Sequence, residues 1–256
     1  KKIIKFLIKK TYKFSDLIMG NSEELCKDLS NYTGSKVVKL ENFYDYKFIQ
    51  NVSKKKIKTQ LKFKKNIILN VGRLTEQKNQ LLLLKAFKRI NQINKKINLL
   101  LIGSGPQKKV IKEYIKKNNL NNNVQLLTNI NNSLPYIKLS DLYVSTSQYE
   151  GFPNIIIESL VLNKPIISTY FKSGLSEILL NGKGGVIIKK DFIENLSSQI
   201  LFFFKNRKYY KLKTILAKDK LDRFSFKKGK LKFLKIIDNI WSYLINNNLI
   251  IWDNIL

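Results

Sequence analysis

Between Asn66 and Ile188 the chain alternates two hydrophobic patterns. Short, nearly all-apolar runs recur at Ile67–Val71, Leu99–Ile102, Val124–Leu127, Leu142–Val144, Pro165–Ser168 and Val186–Ile188. Runs of this kind suit strands that are covered on both faces. Between them, apolar residues at helical spacing predict helices over Asn79–Ile93, Gln107–Lys117 and Asn154–Leu162. Pro153 opens the last of these, at a position where a missing N–H costs nothing. Glycines and prolines mark the joins. Such alternation predicts a parallel, doubly wound sheet with right-handed crossovers, whose ligands bind at the carboxyl ends of the strands.

The segment before Asn66 reads differently. Lys1–Lys10 is a basic amphipathic stretch, Ser22 is an N-cap candidate for a helix with Leu25 and Leu29 on one face, and Lys36–Leu40 reads as a strand. After Ile188 the pattern turns helical, over Phe192–Phe204 and then at Phe233, Ile236, Ile237, Ile240, Tyr243 and Leu244, a stripe whose spacing predicts core packing. The final Leu249–Trp252 offers membrane contact as the alternative use of the tail. Asn118–Asn123 and Asn246–Asn248 read as loops. The expected division is 1–35 as the end of one domain, 36–230 as the doubly wound domain and 231–256 as a helical tail.

Composition narrows the function classes. With 256 residues, 44% hydrophobic and 11% aromatic, the chain can bury one large core or two modest ones. No apolar run approaches the roughly 20 residues of a spanning helix. Lys1–Lys10 lacks the apolar centre and cleavage site of a secretory signal, and a first residue that is not methionine suggests a fragment. One cysteine, Cys26, and no histidine fit the reducing cytoplasm and argue against a zinc site. The net charge of +30 resembles a nucleic-acid signature, yet only four of the 48 basic residues, Arg73, Arg89, Arg207 and Arg223, are arginines. Base reading relies on the arginine fork, so no specific nucleic acid is expected. The joint excess of lysine, asparagine and isoleucine points to A/T-rich codons. An anionic membrane surface is the partner such a charge would attract.

Three features fall at strand ends. Gly72-Arg73-Leu74-Thr75-Glu76-Gln77-Lys78 follows the run ending at Val71; Gly72 permits a tight turn, while Arg73 and Lys78 can reach one anion. In Tyr149-Glu150-Gly151-Phe152-Pro153-Asn154-Ile155-Ile156-Ile157-Glu158, two carboxylates share a small region with the free amides of a helix start. Amides and dipole favour an anionic ligand there, and ionised carboxylates accept hydrogen bonds from hydroxyls. The plainer alternatives are an ordinary loop with solvated cations and a glutamate placed for the helix dipole. Gly103-Ser104-Gly105-Pro106 lacks the third glycine of a dinucleotide fingerprint and reads as a turn, with base or ribose contact as the alternative. Without an Asp-x-Asp pair, a metal-clamped diphosphate has little support, and neither metal nor cofactor is expected.

Gly-Arg-Leu-x3-Lys at 72–78 and Glu150-x7-Glu158 within Glu-Gly-Phe-Pro-Asn resemble the C-terminal donor domain of family 4 retaining glycosyltransferases with the GT-B fold. Ser15–Ile18 with Asn21-Ser22, Asn42–Asp45, Ile102–Pro106, Ser140–Leu142 and Lys164–Ser168 are similar to segments of that family in the same order, over roughly residues 15–230. The resemblance implies a Rossmann-like GT-B C-terminal domain, the remnant of a second Rossmann-like domain, and C-terminal helices. It implies that Arg73 and Lys78 hold the donor diphosphate, Glu150 contacts the sugar and Glu158 binds ribose hydroxyls. Gly72, Gly151, Phe152, Pro153 and Asn154 complete the implied donor site, and Glu150, Arg73 and Lys78 its catalytic set. The implied activity is metal-independent, retaining transfer from a nucleotide sugar, most often a UDP-sugar, to a saccharide or lipid-linked acceptor, in the cytoplasm or peripherally on the inner membrane face. Ser173-Gly174 before Glu177 is similar to a family loop, but Leu175 departs from it and the loop receives no role.

The family's N-terminal domain, with its Gly-rich loop and a histidine, is represented here only by its last elements, in 1–35. A nucleotide-sugar epimerase or hydrolase of the same fold, and a non-catalytic remnant binding membrane or a partner, are the competing readings. Product analysis separates the first: free sugar or an epimer forms without acceptor. The 256-residue chain by itself is expected to bind donor weakly and not to turn over, and a sensitive transfer assay showing normal rates would refute this.

Overall fold

Apolar runs too short for a helix gain their hydrogen bonds from one another, and here they do so in a single parallel sheet. The computed structural model describes residues 2–246. In chain order the elements are α1 (Lys2–Thr11), β1 (Ile18–Gly20), α2 (Glu23–Thr33), β2 (Val37–Lys39), α3 (Tyr46–Val52), β3 (Ile67–Val71), α4 (Gln80–Ile93), β4 (Asn98–Ile102), α5 (Lys108–Lys117), β5 (Val124–Leu127), α6 (Leu134–Leu139), β6 (Leu142–Ser145), α7 (Asn154–Val161), β7 (Ile166–Thr169), α8 (Leu175–Ile178), β8 (Val186–Ile188), α9 (Phe192–Lys205), α10 (Arg207–Lys218) and α11 (Phe226–Asn246). All six strands of the predicted sheet are present, within a residue of their expected bounds. The helices α3, α6, α8 and α10 are too short or too lysine-rich for periodicity to have marked them.

Contacts divide the chain into two units, 1–45 with 222–256, and 46–221. Residues 36–45 and 222–230, read from sequence as part of the doubly wound domain, cluster with the first unit. The reason is pairing: β2 lies parallel to β1, Ile18 opposite Val37, and Tyr44 exchanges backbone bonds with Phe224 and Phe226.

In the first unit, Ser22 caps α2 as expected, its hydroxyl accepting from the Leu25 amide at 3.3 Å, and Gly34 ends the helix in the left-handed conformation. Cys26 packs on Gly20, where a Cβ would lie 2.6 Å from its Sγ. The stripe on α11 corrects the sequence expectation. Phe233 is 37% and Ile237 40% exposed, because a two-stranded sheet has too little apolar surface to cover a helix of 21 residues. The side chains of Tyr243 and Leu244, like the tail 249–252, lie outside the described residues. Asn246 closes α11, and Asn247 and Asn248 lie outside as well.

The second unit carries the sheet β5-β4-β3-β6-β7-β8, every pair parallel. The chain starts at β3, winds outward through β4 to β5, and returns to β6 on the other side. Ligand crevices form at such a reversal. One face is sealed by Leu83, Leu84, Phe87 and Ile90 of α4 against Leu196, Ile200 and Phe203 of α9, all buried with β3 and β4 residues. The ladder between β3 and β6 is brief, Ile68 opposite Leu142 and Leu69 opposite Tyr143. Beyond it the buried Asn70 side chain donates to the Val144 carbonyl at 2.8 Å, so the two strand ends are held together by an amide.

Asp141 and Lys164, both within segments of the family resemblance, serve this scaffold. Asp141 accepts from the Ile67 amide at 2.8 Å and from Arg207, whose guanidinium also lies over Phe203 and Phe204. Lys164 donates to the Ser140 carbonyl at 2.7 Å, and burial holds its pKa below the usual lysine range.

Gly103 is required by close approach: a Cβ there would sit 1.9 Å from the Gly72 carbonyl oxygen. That carbonyl is backbone and has no side-chain freedom to swing aside. Gly103→Ala is expected to destabilise the fold by about 3 kcal/mol, the upper range for overpacking, measured by urea unfolding of both proteins.

Candidate functional site

The loops after β3 and β6 leave neighbouring strands in the same direction and are tied together. Gln77 supplies a double strap: its carbonyl accepts from the Gln148 amide at 2.8 Å, and its side-chain amide donates to the Tyr149 carbonyl at 2.8 Å. Thr146 adds a third tie, its hydroxyl donating to the Lys78 carbonyl at 3.0 Å. These bonds bring two residues 72 positions apart into contact, and the Lys78 ammonium donates to Glu150 Oε1. Ser147 donates to the same oxygen at 2.6 Å. The pair is partly buried, with side-chain exposures of 20% for Lys78 and 12% for Glu150, so solvent screens it less than a surface pair.

Gly72 serves this arrangement differently from expectation. It does not adopt the left-handed conformation of a tight turn. Instead the aliphatic stem of Lys78 crosses it, and a Cβ would lie 3.3 Å from Lys78 Cδ. Arg73 stands in the same loop with its side chain exposed; its backbone carbonyl is held by Gln80 at 3.0 Å, and its guanidinium bonds nothing among the described residues. The Gly103–Pro106 turn buttresses this loop from behind: Leu74 donates to the Ser104 carbonyl at 2.9 Å, and Gly105 abuts the Leu74 backbone.

Glu158 lies in the second turn of α7, half-buried. Burial pushes its carboxyl up to about 7. Tyr143 is fully buried on β6 and donates its hydroxyl to the Val71 carbonyl at 3.4 Å. Its pKa is raised by burial first and then by the charges of Glu150 and Glu158. Thus Lys78 and Glu150 meet at the β3–β6 reversal, where the loop after β3 also carries Arg73 and the loop after β6 leads into α7 with Glu158.

The turn between the acids is tighter than the sequence suggested. Phe152 and Pro153 are buried, and Gly174, at φ +73°, lies against the Phe152 ring. Gly151 is exposed and its carbonyl accepts from the Ser173 hydroxyl. The run of free helix-start amides is corrected in part: the Asn154 amide donates to the Phe152 carbonyl and that of Ile156 to the Pro153 carbonyl, each at 3.0 Å. A proline at the cap draws the first turn inward, which spends two of the donors an anion would use.

Sequence reading missed Ser147, Gln77, Thr146 and Tyr143. Ser147 had a signal, a hydroxyl three residues before a carboxylate, a spacing at which side chains bond locally. The others had none, because their partners lie on other loops.

A family model described as glycosyl transferases group 1 matches residues 51–218, most of the second unit. The chain belongs to the glycosyl transferases group 1 family. It is 38% identical over 184 residues to an uncharacterized glycosyltransferase of Methanocaldococcus jannaschii, covering 70% of this chain and 45% of that protein. It is 31% identical over 228 residues to N-acetylgalactosamine-N,N'-diacetylbacillosaminyl-diphospho-undecaprenol 4-alpha-N-acetylgalactosaminyltransferase of Campylobacter jejuni, covering 89% of this chain and 58% of that one. The chain spans about half the length of these relatives. Among solved structures, a mutant of TarM from S. aureus, in complex with Fondaparinux, alpha-GlcNAc-glycerol and UDP, superposes with a TM-score of 0.78 at 22% identity, over 92% of this chain and 46% of TarM. This group 1 chain therefore has the Rossmann-like GT-B fold. Among its described residues, no helix is long and apolar enough to cross a membrane.

Glu158 makes stability pH-dependent. Its pKa is raised in the folded state, so its contribution is fully present below the unfolded value near 4.5 and is lost as pH rises through about 7. Wild type is expected to lose stability relative to Glu158→Gln between pH 5 and pH 8, by on the order of 2 kcal/mol. Parallel urea titrations at the two pH values measure the difference.

Proposed function

We propose that the second unit binds the nucleotide-sugar donor of a retaining, metal-independent glycosyl transfer, with a UDP-linked hexose or N-acetylhexosamine as donor. The observation that carries this reading is the Lys78–Glu150 contact, which brings a cation and an acid together at the sheet reversal. A nucleotide sugar presents the matching chemistry: a diphosphate for cations, and ribose and hexose hydroxyls for carboxylates.

Arg73 and Lys78 hold the diphosphate. As the bond between the anomeric carbon and the phosphate oxygen lengthens, negative charge grows on the diphosphate, and these two cations stabilise it in place of a divalent ion. Glu150 holds the donor sugar through its hydroxyls and eases the positive charge growing at the anomeric carbon; it is not assigned as a nucleophile. Glu158 accepts from the ribose hydroxyls. Its buried carboxylate is costly to ionise alone, and hydroxyl donors recover part of that cost.

The UDP choice draws on the TarM complex, which contains UDP. The acceptor is placed on a saccharide or a lipid carrier, following the diphospho-undecaprenol in the name of the Campylobacter relative. A lipid-linked acceptor would bring the enzyme to the cytoplasmic membrane face, where a net charge of +30 favours anionic headgroups.

Calorimetric titration with UDP tests the site. Charged hydrogen bonds are worth roughly 1.5–3 kcal/mol, so Arg73→Ala and Lys78→Ala are each expected to weaken UDP binding by about 10- to 100-fold. EDTA is expected to change nothing. Unaltered affinity in both variants rules out the assignment, and loss of binding in EDTA rules out metal independence.

A further inference from the structure

We propose that Ser147 is a positioning residue that aims Glu150 at the donor sugar, a role that rests on the donor-site reading above. Glu150 Oε1 accepts two hydrogen bonds, from the Ser147 hydroxyl at 2.6 Å and from the Lys78 ammonium. Both donors use one oxygen, and among the described residues Oε2 accepts none. A carboxylate pinned by one oxygen presents the other in a defined direction.

The two donors differ in what they can do next. Lys78 carries its charge on a flexible four-carbon stem laid across Gly72; apart from Glu150, its hydrogen bonds are made by its backbone, the carbonyl to Thr146 and the amide to Thr75. Its ammonium can rotate from Glu150 to a diphosphate oxygen without moving the chain. Ser147 cannot leave. The residue is 4% exposed, its carbonyl accepts from the Thr169 hydroxyl at 3.3 Å, and both of its neighbours, Thr146 and Gln148, are bonded to the β3 loop. When Lys78 turns to the phosphates, Ser147 alone keeps Oε1 fixed. Without its hydroxyl, the carboxylate loses its remaining anchor as the sugar arrives, and Oε2 no longer meets the sugar hydroxyls in one geometry.

This separates the sugar from the nucleotide energetically. Among the described residues Ser147 makes no hydrogen bond to Arg73, Lys78 or Glu158, so its effect falls on the affinity that the sugar adds to UDP. The experiment titrates the chain with UDP and with UDP-glucose, UDP-galactose, UDP-N-acetylglucosamine and UDP-N-acetylgalactosamine. Wild type is expected to bind at least one of these sugars more tightly than UDP. In Ser147→Ala, UDP affinity stays within about threefold and the added affinity of that sugar falls about tenfold, the scale of one hydrogen bond to a charged group. Ser147→Thr, which keeps the hydroxyl, restores the increment to within about threefold.

An intact increment in Ser147→Ala overturns the proposal. So does an equal loss for UDP and UDP-sugar, which would mark Ser147 as part of the loop's framework only, and so does a wild type for which no sugar adds affinity. If circular dichroism shows that Ser147→Ala does not fold, Ser147→Cys, similar in size and a weak donor, is read by the same criteria. A wild type that fails to bind UDP at all would instead overturn the donor reading of the second unit, so the two failures are told apart.

Discussion

Two parallel strands, β3 and β6, lie side by side although the chain winds away from one and returns to the other from the opposite direction. Everything at the site depends on that adjacency. At this reversal the loops that lead from β3 into α4 and from β6 into α7 leave the sheet side by side and are bonded to each other. The brief ladder, the Asn70 amide bonded across to Val144, and the double strap from Gln77 set the distance between them. Lys78 and Glu150 then meet because their loops have nowhere else to go.

The contact itself contributes little to stability. A partly exposed ion pair offsets its desolvation only modestly, and the fold is held by apolar packing of α4 and α9 on the sheet. What the pair contributes is arrangement. A cation and a hydroxyl meet on one oxygen of Glu150, while Glu158 of α7 is held in surroundings that resist its ionisation. Groups placed at an energetic disadvantage by a rigid frame are characteristic of sites that a ligand completes.

That frame is built from the opposite end of the strands. Asp141 ties the start of β3 to Arg207 of α10, and Lys164 ties the approach to β7 to the Ser140 carbonyl. Several segments that resemble family members are thus conspicuous for structural reasons. Gly103 and Gly105 belong with them: they let the loop after β4 press against the loop after β3, which supports that loop without contributing a functional group.

The sequence by itself determined the sheet. Six runs of buried apolar residues, spaced by helical patterns, admit few other topologies, because each strand needs cover on both faces and each crossover is right-handed. It also marked Arg73, Lys78, Glu150 and Glu158, since scarce acids and loop cations at strand ends are legible without coordinates. Short or lysine-rich helices such as α3 and α10 escaped, their periodicity too brief or too diluted. The apolar stripe of α11 misled, because spacing reports that a face is apolar and cannot report whether a surface exists to cover it. Only the tertiary structure decided which groups touch. That Ser147 and Lys78 share one oxygen of Glu150, that Gln77 straps two loops, and that the Tyr143 hydroxyl reaches the Val71 carbonyl follow from through-space packing between distant segments, for which local pattern holds no information.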